Sequence, residues 1–374
     1  MKKNSCKTKE KSGVLGLRLQ NMSEIILTDR QTDRQTDRRD CSIDLIRVIA
    51  CVAVVGLHTF PKDLSLVTAS LYCLCGFAVP FFFMSSGYFL LNRGELNYKY
   101  AGHKCVRIIK IVFFWNCILY VIKLGKALAL DKIFSIKLLA FVKEFLKSFV
   151  QKGAMWQFWY LGALLIIYLL LPFLSKLNQH SKRVVLLICG IISIAIQIAS
   201  FQCGKPMQKY VTQTFRIWTW LFYFLLGAEM KTLKVWISNH ISVVFHLLLC
   251  MEITILIIVF ENYVGCKRIL EMSGTLHAEY FYDSLYEMLW IGLIFSFLLR
   301  INFSETVSKY ITGLASLTMG IYIVHPMIRK ITVIIIGNTS IFRSIAYWLV
   351  TTLCAAIITW IIKRLPFGKY LVRI

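Results

Sequence analysis

The twelve cysteines of this chain include no CxxC pair and no Cys/His spacing of the kind that holds a metal ion. Most of them, including Cys51, Cys189 and Cys354, lie inside long apolar runs, where a free thiol acts as a small buried hydrophobe. The sequence therefore predicts neither a disulfide scaffold nor a metal site.

Acidic residues are scarce, because 19 Asp and Glu accompany 43 Lys and Arg and leave a formal net charge of +24. An excess of this size occurs in nucleic-acid-binding proteins, but the basic residues here stand mainly between apolar runs. That distribution is typical of loops that hold membrane helices against anionic lipid head groups. We therefore expect membrane lipids, and no nucleic acid, among the partners.

Hydrophobic residues make up 57% of the 374 residues, and the mean hydropathy is +0.65. Since average usage is about 45–50% apolar, the excess indicates that the bilayer is the solvent. The sequence predicts an all-α, polytopic integral membrane helical bundle of ten spans, each needing about 20 residues. The predicted spans are 43–60, 66–91, 105–125, 156–174, 184–201, 215–231, 241–260, 284–300, 312–336 and 342–362.

Basic loops predict the orientation of the bundle, because Lys and Arg concentrate on the cytoplasmic side. Loops with Arg107, Lys182 and Arg300 are expected in the cytoplasm, and an acidic loop around Glu271 outside. Ten spans then place both termini in the cytoplasm. The segment 126–153 disagrees, because its six lysines fall on the outer side. Its apolar residues recur at helical spacing, which predicts an amphipathic helix on the membrane surface.

Residues 1–40 are polar, contain no signal-peptide hydrophobic stretch and are expected to form a disordered cytoplasmic arm. Residues 28–39 read TDRQTDRQTDRR. The tetranucleotide ACAG, repeated, encodes Thr-Asp-Arg-Gln, and the gain or loss of one such unit shifts the reading frame. This repeat therefore predicts phase variation by slipped-strand replication. A chance linker repeat or a misassigned start codon is the alternative.

The first span, SIDLIRVIACVAVVGLHTF, contains three ionisable residues, Asp44, Arg47 and His58. Such residues are costly at membrane depth and usually mark functional sites. Arg47 and His58 are about three helical turns apart, so they share one face at a separation of roughly 16 Å. The pattern suits an anionic donor at the cytoplasmic end and proton transfer deeper in the membrane. Pairing of Asp44 with Arg47, snorkelling of Arg47 and a structural role for His58 are open alternatives.

The segment AVPFFFMSSGYFLL, at residues 78–91, combines Pro80 and Gly87, which loosen a helix, with the hydroxyl of Ser85. Irregular backbone at membrane depth is tolerated where it lines a cavity, which predicts a polar wall here. Close helix packing through Ser and Gly is an equally good interpretation.

Two further spans carry candidate residues. Trp156 and Tyr160 in the fourth span stand at a membrane boundary, which is the ordinary place of an aromatic belt. In the ninth span, GLASLTMGIYIVHPMIRK, Tyr322 and His325 lie one turn apart, and Arg329 follows one turn later. A second intramembrane histidine beside a tyrosine favours a functional cluster over packing.

Taken in order, DLIR-x10-H, PFFFMSSGY, FWYL…YLLLP and GIYIVHP resemble the membrane acyltransferase-3 family over about residues 41–365. Within that family the chain is most similar to single-domain O-acetyltransferases of bacterial envelope glycans, and to the membrane halves of vancomycin-resistance serine racemases. The resemblance implies a transmembrane acyltransferase domain over 41–365, a cytoplasmic tail over 366–374 and a multi-pass position in the bacterial inner membrane.

The resemblance also implies site residues and substrates. Arg47, Lys104 and Arg107 would bind the phosphates of acyl-CoA, for which guanidinium groups are well suited; Lys104 stands where the family often has Arg. His58 would take the proton of the acceptor hydroxyl or carry the acyl group transiently. The residues expected to line the same cavity and assist are Tyr322, His325 and Ser85.

The sequence therefore predicts a membrane-bound O-acyltransferase that moves an acyl group, expected to be acetyl, from acyl-CoA to a hydroxyl of a cell-envelope polysaccharide or lipid-linked glycan. A membrane transporter or exporter of a small polar solute or exopolysaccharide is the alternative, because it too would use intramembrane charges. The basic residues near the cytoplasmic mouth favour the enzyme, since transport of a neutral solute does not need them.

Overall fold

The computed structural model describes residues 40–62, 65–129, 138–264 and 277–372, which are helical and contain no β-strand. The predicted TDRQ repeat, and the predicted disordered arm apart from its last residue, lie outside the described residues. The helices are α1 Cys41–Thr59, α2 Leu66–Leu74, α3 Ala78–Leu90, α4 Tyr98–Ala129, α5 Leu138–Ser148, α6 Trp159–Lys176, α7 Gln179–Gln202, α8 Ile217–His240, α9 Val243–Val264, α10 Leu285–Leu298, α11 Glu305–Ala315, α12 Thr318–Ile336, α13 Ile341–Arg364 and α14 Gly368–Leu371.

Eight helical segments of the described chain are long and apolar enough to cross a membrane: α1, α2 with α3, α4, α6, α7, α9, α12 and α13. The predicted all-helical architecture is thereby confirmed for the described residues, with eight candidate membrane spans. The other two predicted spans are helical as well, but α8 carries Glu229, Lys231 and Lys234 in its second half, and α10 has 14 residues. The count of ten and the side on which the termini lie stay predictions.

The predicted amphipathic segment is divided between two helices. Helix α4 has 32 residues and continues to Ala129, beyond the predicted end at residue 125. Helix α5 follows residues 130–137, which lie outside the description, and its Leu138, Leu139 and Leu146 are exposed while Phe145 packs against the core. The helix is thus amphipathic as expected, and its position on a membrane surface stays a prediction.

The closest helix crossing joins α3 to α8 through two glycines. A side-chain Cβ at Gly87 would overlap the carbonyl of Phe224, and a Cβ at Gly227 would overlap the carbonyl of Met84. Small residues at such a crossing let two backbones approach and pack tightly. At Gly87 the structure therefore favours the packing interpretation of the segment 78–91.

A buried ion pair holds the segment before α10 against the start of α8. Arg216 donates from Nη2 to Asp283 at 2.7 Å, and both side chains are fully buried. Thr219 donates to the second oxygen of Asp283, and Arg216 also donates to the backbone carbonyl of Glu279 at 2.8 Å. These bonds pair the two buried charges, although Nε of Arg216 has no partner within the described chain. They fix the segment that carries His277 and Glu279 at one end of the bundle.

Candidate active site

A cavity of about 1050 Å³ lies at one end of the bundle, where α1 and α12 end and α2 and α6 begin. Two of the predicted site residues, His58 and Tyr322, form part of its wall. Among the described residues that line it, the remaining predicted site residues are not found; these are His325, Ser85, Arg47, Lys104 and Arg107.

His58 stands in the last turn of α1 and is held between two aromatic groups. Its imidazole stacks on that of His325 with 5.4 Å between ring centroids and 15° between ring planes. Trp156 meets the same ring edge-on at 5.0 Å. No hydrogen bond of the His58 ring to another described residue is present, so its nitrogens are available to a molecule in the cavity.

His325 lies behind His58 and is fully buried. Its Nδ1 is 3.1 Å from the carbonyl oxygen of Ile321, one turn earlier in α12. Because a carbonyl only accepts hydrogen bonds, Nδ1 carries a proton, and in the neutral ring Nε2 then carries the lone pair. Within the described chain, Nε2 has no hydrogen-bond partner, which leaves one buried nitrogen beside the ring of His58 without a partner.

Tyr322 connects α12 to the start of α6. Its hydroxyl donates to the backbone carbonyl of Gln157, and the side-chain amide of Gln157 donates to the carbonyl of Ile323 at 3.2 Å. Pro326 has no N–H, so the carbonyl of Tyr322 lacks the donor that an ordinary helix would supply. The GIYIVHP segment thus combines a tyrosine held by a hydrogen bond with a proline inside a continuous helix.

Arg329 ties α12 to the end of α1. Its Nη1 donates to the carbonyl oxygen of His58 at 2.6 Å, which satisfies one of the carbonyls that a helix leaves open at its C-terminus. Tyr347 in turn donates to the carbonyl of Arg329 at 3.2 Å. The sequence indicated only that Arg329 shares a face with His325; its bond to His58 spans 271 residues and had no local signal.

The predicted donor-binding residues lie elsewhere. Arg47 is half-buried in α1, within electrostatic range of Tyr160 and Tyr168. The Nζ of Lys104 lies 5.6 Å from the ring centre of Tyr100, which is itself in range of Tyr168. The structure thus brings Arg47 and Lys104 around one group of tyrosines, whereas Arg107 is exposed on α4.

Tyr160 interacts both with the cavity and with the group of residues around Arg47. The sequence indicated only its place in an aromatic belt. Tyr160 lines the cavity, its ring packs 5.7 Å from that of Tyr322 and 4.9 Å from that of Phe83, and it also interacts electrostatically with Arg47. The FWYL motif was the available signal, but an interfacial aromatic has the same pattern.

Ser85 does not contribute to the cavity wall. It is buried in α3, and its hydroxyl has no hydrogen-bond partner within the described chain. Its neighbour Ser86 donates to the carbonyl of Phe82 at 2.9 Å, and Ser86 is also the serine that interacts with the hydroxyl of Tyr160. In this motif Ser86 is thus the serine that reaches a residue of the cavity wall.

The profile of the acyltransferase-3 family, described as "Acyltransferase domain", matches residues 41–364. This chain belongs to the acyltransferase-3 family. An amino-acid racemase of Enterococcus faecalis is 24% identical over 348 residues, which cover 86% of this chain and 46% of that relative. The chain thus spans about half the length of the curated relative that it matches, and no solved structure matches it.

Proposed function

We propose that this acyltransferase-3 protein is an O-acyltransferase of the bacterial inner membrane, which transfers an acyl group, acetyl foremost, from acyl-CoA to a hydroxyl of an envelope polysaccharide or lipid-linked glycan. The observation that supports it most is the pairing of His58 with His325 at a cavity of about 1050 Å³. The family match supplies the reaction class, and the histidines supply groups suited to its proton transfers.

In this mechanism the free imidazole of His58 accepts the proton of the acceptor hydroxyl. The hydroxyl oxygen attacks the thioester carbonyl, the bond from that carbon to sulfur breaks, and the imidazolium returns its proton to the leaving CoA thiolate. Hydrogen bonding by Nδ1 holds the His325 ring in place behind His58 and leaves its Nε2 without a hydrogen-bond partner within the described chain. Trp156 restricts the orientation of the His58 ring.

The donor is proposed to enter from the end of the bundle that carries Arg47 and Lys104, whose cations suit the phosphates of CoA. Arg107 is included by its resemblance to the family pattern, although its side chain is exposed. Tyr160 interacts with Arg47 and lines the cavity near Tyr322. The acyl group would therefore pass along Tyr160 on its way to His58.

A transporter or exporter of a small polar solute or exopolysaccharide is the competing proposal. A transporter would use the same cavity. It has no need of the arrangement in which His325, held by its bond to Ile321, lies behind His58. The racemase activity named for the Enterococcus faecalis relative is not proposed here, because this chain corresponds to less than half of that protein.

The experiment compares envelope glycans by mass spectrometry in a deletion strain that carries the wild-type gene, His58→Ala or His240→Ala. His240 is a matched control, because it too stacks on an aromatic ring, that of Trp236 at 4.9 Å, but lies at the end of α8 and is exposed. The wild type and His240→Ala are expected to add an acyl group, and His58→Ala is expected to add none. Acylation by His58→Ala at the wild-type level would contradict the proposal.

Expression of the gene is proposed to be phase-variable, because residues 28–39 match the translation of repeated ACAG. Sequencing the gene tests this directly. An uninterrupted tetranucleotide run is expected, with unit counts that differ between clones. Synonymous codons such as ACT or CGT within this stretch would contradict the proposal.

A further inference from the structure

Cationic side chains dominate the mouth of the cavity that His58 lines. Lys62, Arg329 and Lys330 belong to its wall, whereas Glu279 is the one acidic side chain among the described lining residues. Lys62 and Arg329 both lie within electrostatic range of the His58 imidazole. Acyl transfer passes through an oxyanion, which a single cation is enough to stabilise, so three cations in the wall of one cavity call for a separate explanation.

The guanidinium of Arg329 is held by one hydrogen bond, and its other N–H donors are without a partner within the described chain. One of its five N–H donors bonds the carbonyl of His58, and within the described chain its remaining donors have no hydrogen-bond partner. This guanidinium is therefore held beside His58, and its remaining N–H groups can donate to a bound anion. Lys330, the next residue, is exposed and also lines the cavity, which adds a mobile cation at the same rim.

His277 lies beside Lys62 in the cavity wall and indicates the sign of the electric field there. Lys62 donates from Nζ to Nδ1 of His277 at 3.1 Å, which requires an unprotonated Nδ1. Burial lowers the pKa of His277, and the charges of Lys62 and Lys209 lower it further, while Glu279 raises it only in part. The field at this rim is thus positive despite the nearby carboxylate.

We infer that this rim, formed by Arg329, Lys330 and Lys62, binds an anionic group of the acceptor, a phosphate or a carboxylate, and thereby places a neighbouring hydroxyl at His58. The inference rests on the proposed acyl transfer and specifies its acceptor as a negatively charged glycan or glycan phosphate. Guanidinium and ammonium groups bind such anions through charge-assisted hydrogen bonds. A cationic cleft also raises the local concentration of an anionic substrate.

A purely structural role for Arg329 is the main competing explanation. Capping the end of α1 accounts for its bond to His58. It does not account for Lys330, which makes no described contact, or for Lys62, which lines the same cavity. Attraction of lipid head groups is the second competitor, because basic residues at a membrane surface commonly serve that role.

The test is equilibrium dialysis of the full-length protein in phosphatidylcholine nanodiscs against glucose, glucose 1-phosphate and glucuronate. At least one of the two anions is expected to bind about tenfold or more tightly than glucose, as a charge-assisted hydrogen bond would provide, and the preferred anion identifies phosphate or carboxylate. Lys330→Gln and Arg329→Gln are each expected to remove most of this preference. Lys205→Gln, an exposed lysine at the same end of the bundle that does not line the cavity, is expected to leave it unchanged.

Equal binding of all three sugars by the wild type would overturn the inference, and so would an equal loss in Lys205→Gln. A loss of anion preference in Lys330→Gln is not explained by misfolding, because the Lys330 side chain is exposed and makes no described contact. Anion binding that disappears in nanodiscs containing phosphatidylglycerol would assign the rim to lipid head groups and also overturn the inference.

Binding requires no turnover, so the inference and the proposed function can fail separately. If the wild type acylates no glycan, acyl transfer is refuted. If His58→Ala then still prefers anions in the binding assay, the anion site remains in place. Acylation of neutral and anionic glycans at equal rates, with no anion preference in binding, would refute the anion site and leave the enzyme in place.

Discussion

The imidazoles of His58 and His325 lie face to face, with ring centroids 5.4 Å apart, although the two residues are 267 positions apart in sequence. Only His58 reaches the cavity wall, while His325 is fully buried behind it. The pair therefore combines an accessible imidazole with a buried one, in which the bond from Nδ1 to the carbonyl of Ile321 sets the tautomer of the neutral ring. In a site of this kind the buried ring can orient the accessible one.

Replacement of His325 by Phe separates packing from chemistry. Phe retains an aromatic ring against His58 but has no Nε2, so the rate of acyl transfer at saturating substrates is expected to fall about 100-fold. The KM for acyl-CoA should change little, because the donor is proposed to bind through Arg47. Transfer of radiolabelled acetyl groups by the purified protein measures both quantities.

His240→Phe is the control for His325→Phe, since it makes the same replacement at a histidine stacked on Trp236 away from the cavity. It is expected to retain the wild-type rate. If His325→Phe also retained that rate, His325 would be a packing residue, and its unpartnered nitrogen would have no part in the reaction.

Arg47 is expected to bind the phosphates of the donor, which can be tested with two thioesters. The wild type should prefer acetyl-CoA to acetyl-pantetheine, which lacks those phosphates, and Arg47→Gln should lose about 10- to 100-fold of that preference, as expected for hydrogen bonds to a charged group. The same assay on Arg107→Gln tests whether an exposed arginine of α4 takes part.

Lys110→Gln serves as the control for both arginines, because Lys110 is an exposed cation on the same helix as Arg107 and belongs to none of the motifs that carry the family resemblance. It should retain the full preference. Arg47→Gln with an unchanged preference for acetyl-CoA would show that this residue serves the fold, and donor binding would have to be sought on other residues.

The local pattern of the sequence predicted the helical membrane protein and the individual residues His58, Tyr322 and His325, because apolar runs and intramembrane charges are signals carried within one helix. It did not predict the partners that these residues have across the bundle. The bond from Arg329 to His58 and the packing of Tyr160 on Tyr322 join helices far apart in the chain, and no periodicity encodes such contacts. Ser85 and Ser86 could not be distinguished either, since their one-residue offset acquires meaning only once α3 is oriented in the bundle.

Gly87 is expected to stabilise the crossing of α3 and α8 by being small. Gly87→Ala would place a methyl group against the carbonyl of Phe224, where backbone has no room to move, and overpacking of this kind costs about 1–3 kcal/mol. Gly313→Ala, in α11, meets open space and should instead stabilise the protein by about 0.5–1 kcal/mol, since alanine favours helix.

Thermal unfolding in detergent, monitored by circular dichroism, compares the two glycine variants. A lower midpoint for Gly87→Ala and an equal or higher one for Gly313→Ala are expected. Equal behaviour of the two variants would show that the crossing is looser than described, and that Gly87 does not determine the approach of α3 to α8.

The hydrogen bond from Lys62 to His277 gives a prediction that can be followed by titration. Burial is the largest cause that lowers the pKa of His277 below its usual 6.5, and the charge of Lys62 is the next. Removing that charge in Lys62→Gln favours the protonated imidazole, so the pKa of His277 should rise. It should stay below 6.5, because the burial remains.

Nuclear magnetic resonance of histidines labelled with carbon-13, with His277→Gln to assign the signal, measures the shift. Lys205→Gln should leave the pKa of His277 unchanged, and Lys209→Gln should raise it less than Lys62→Gln does. A pKa of His277 that does not respond to Lys62→Gln would contradict a positive field at this rim.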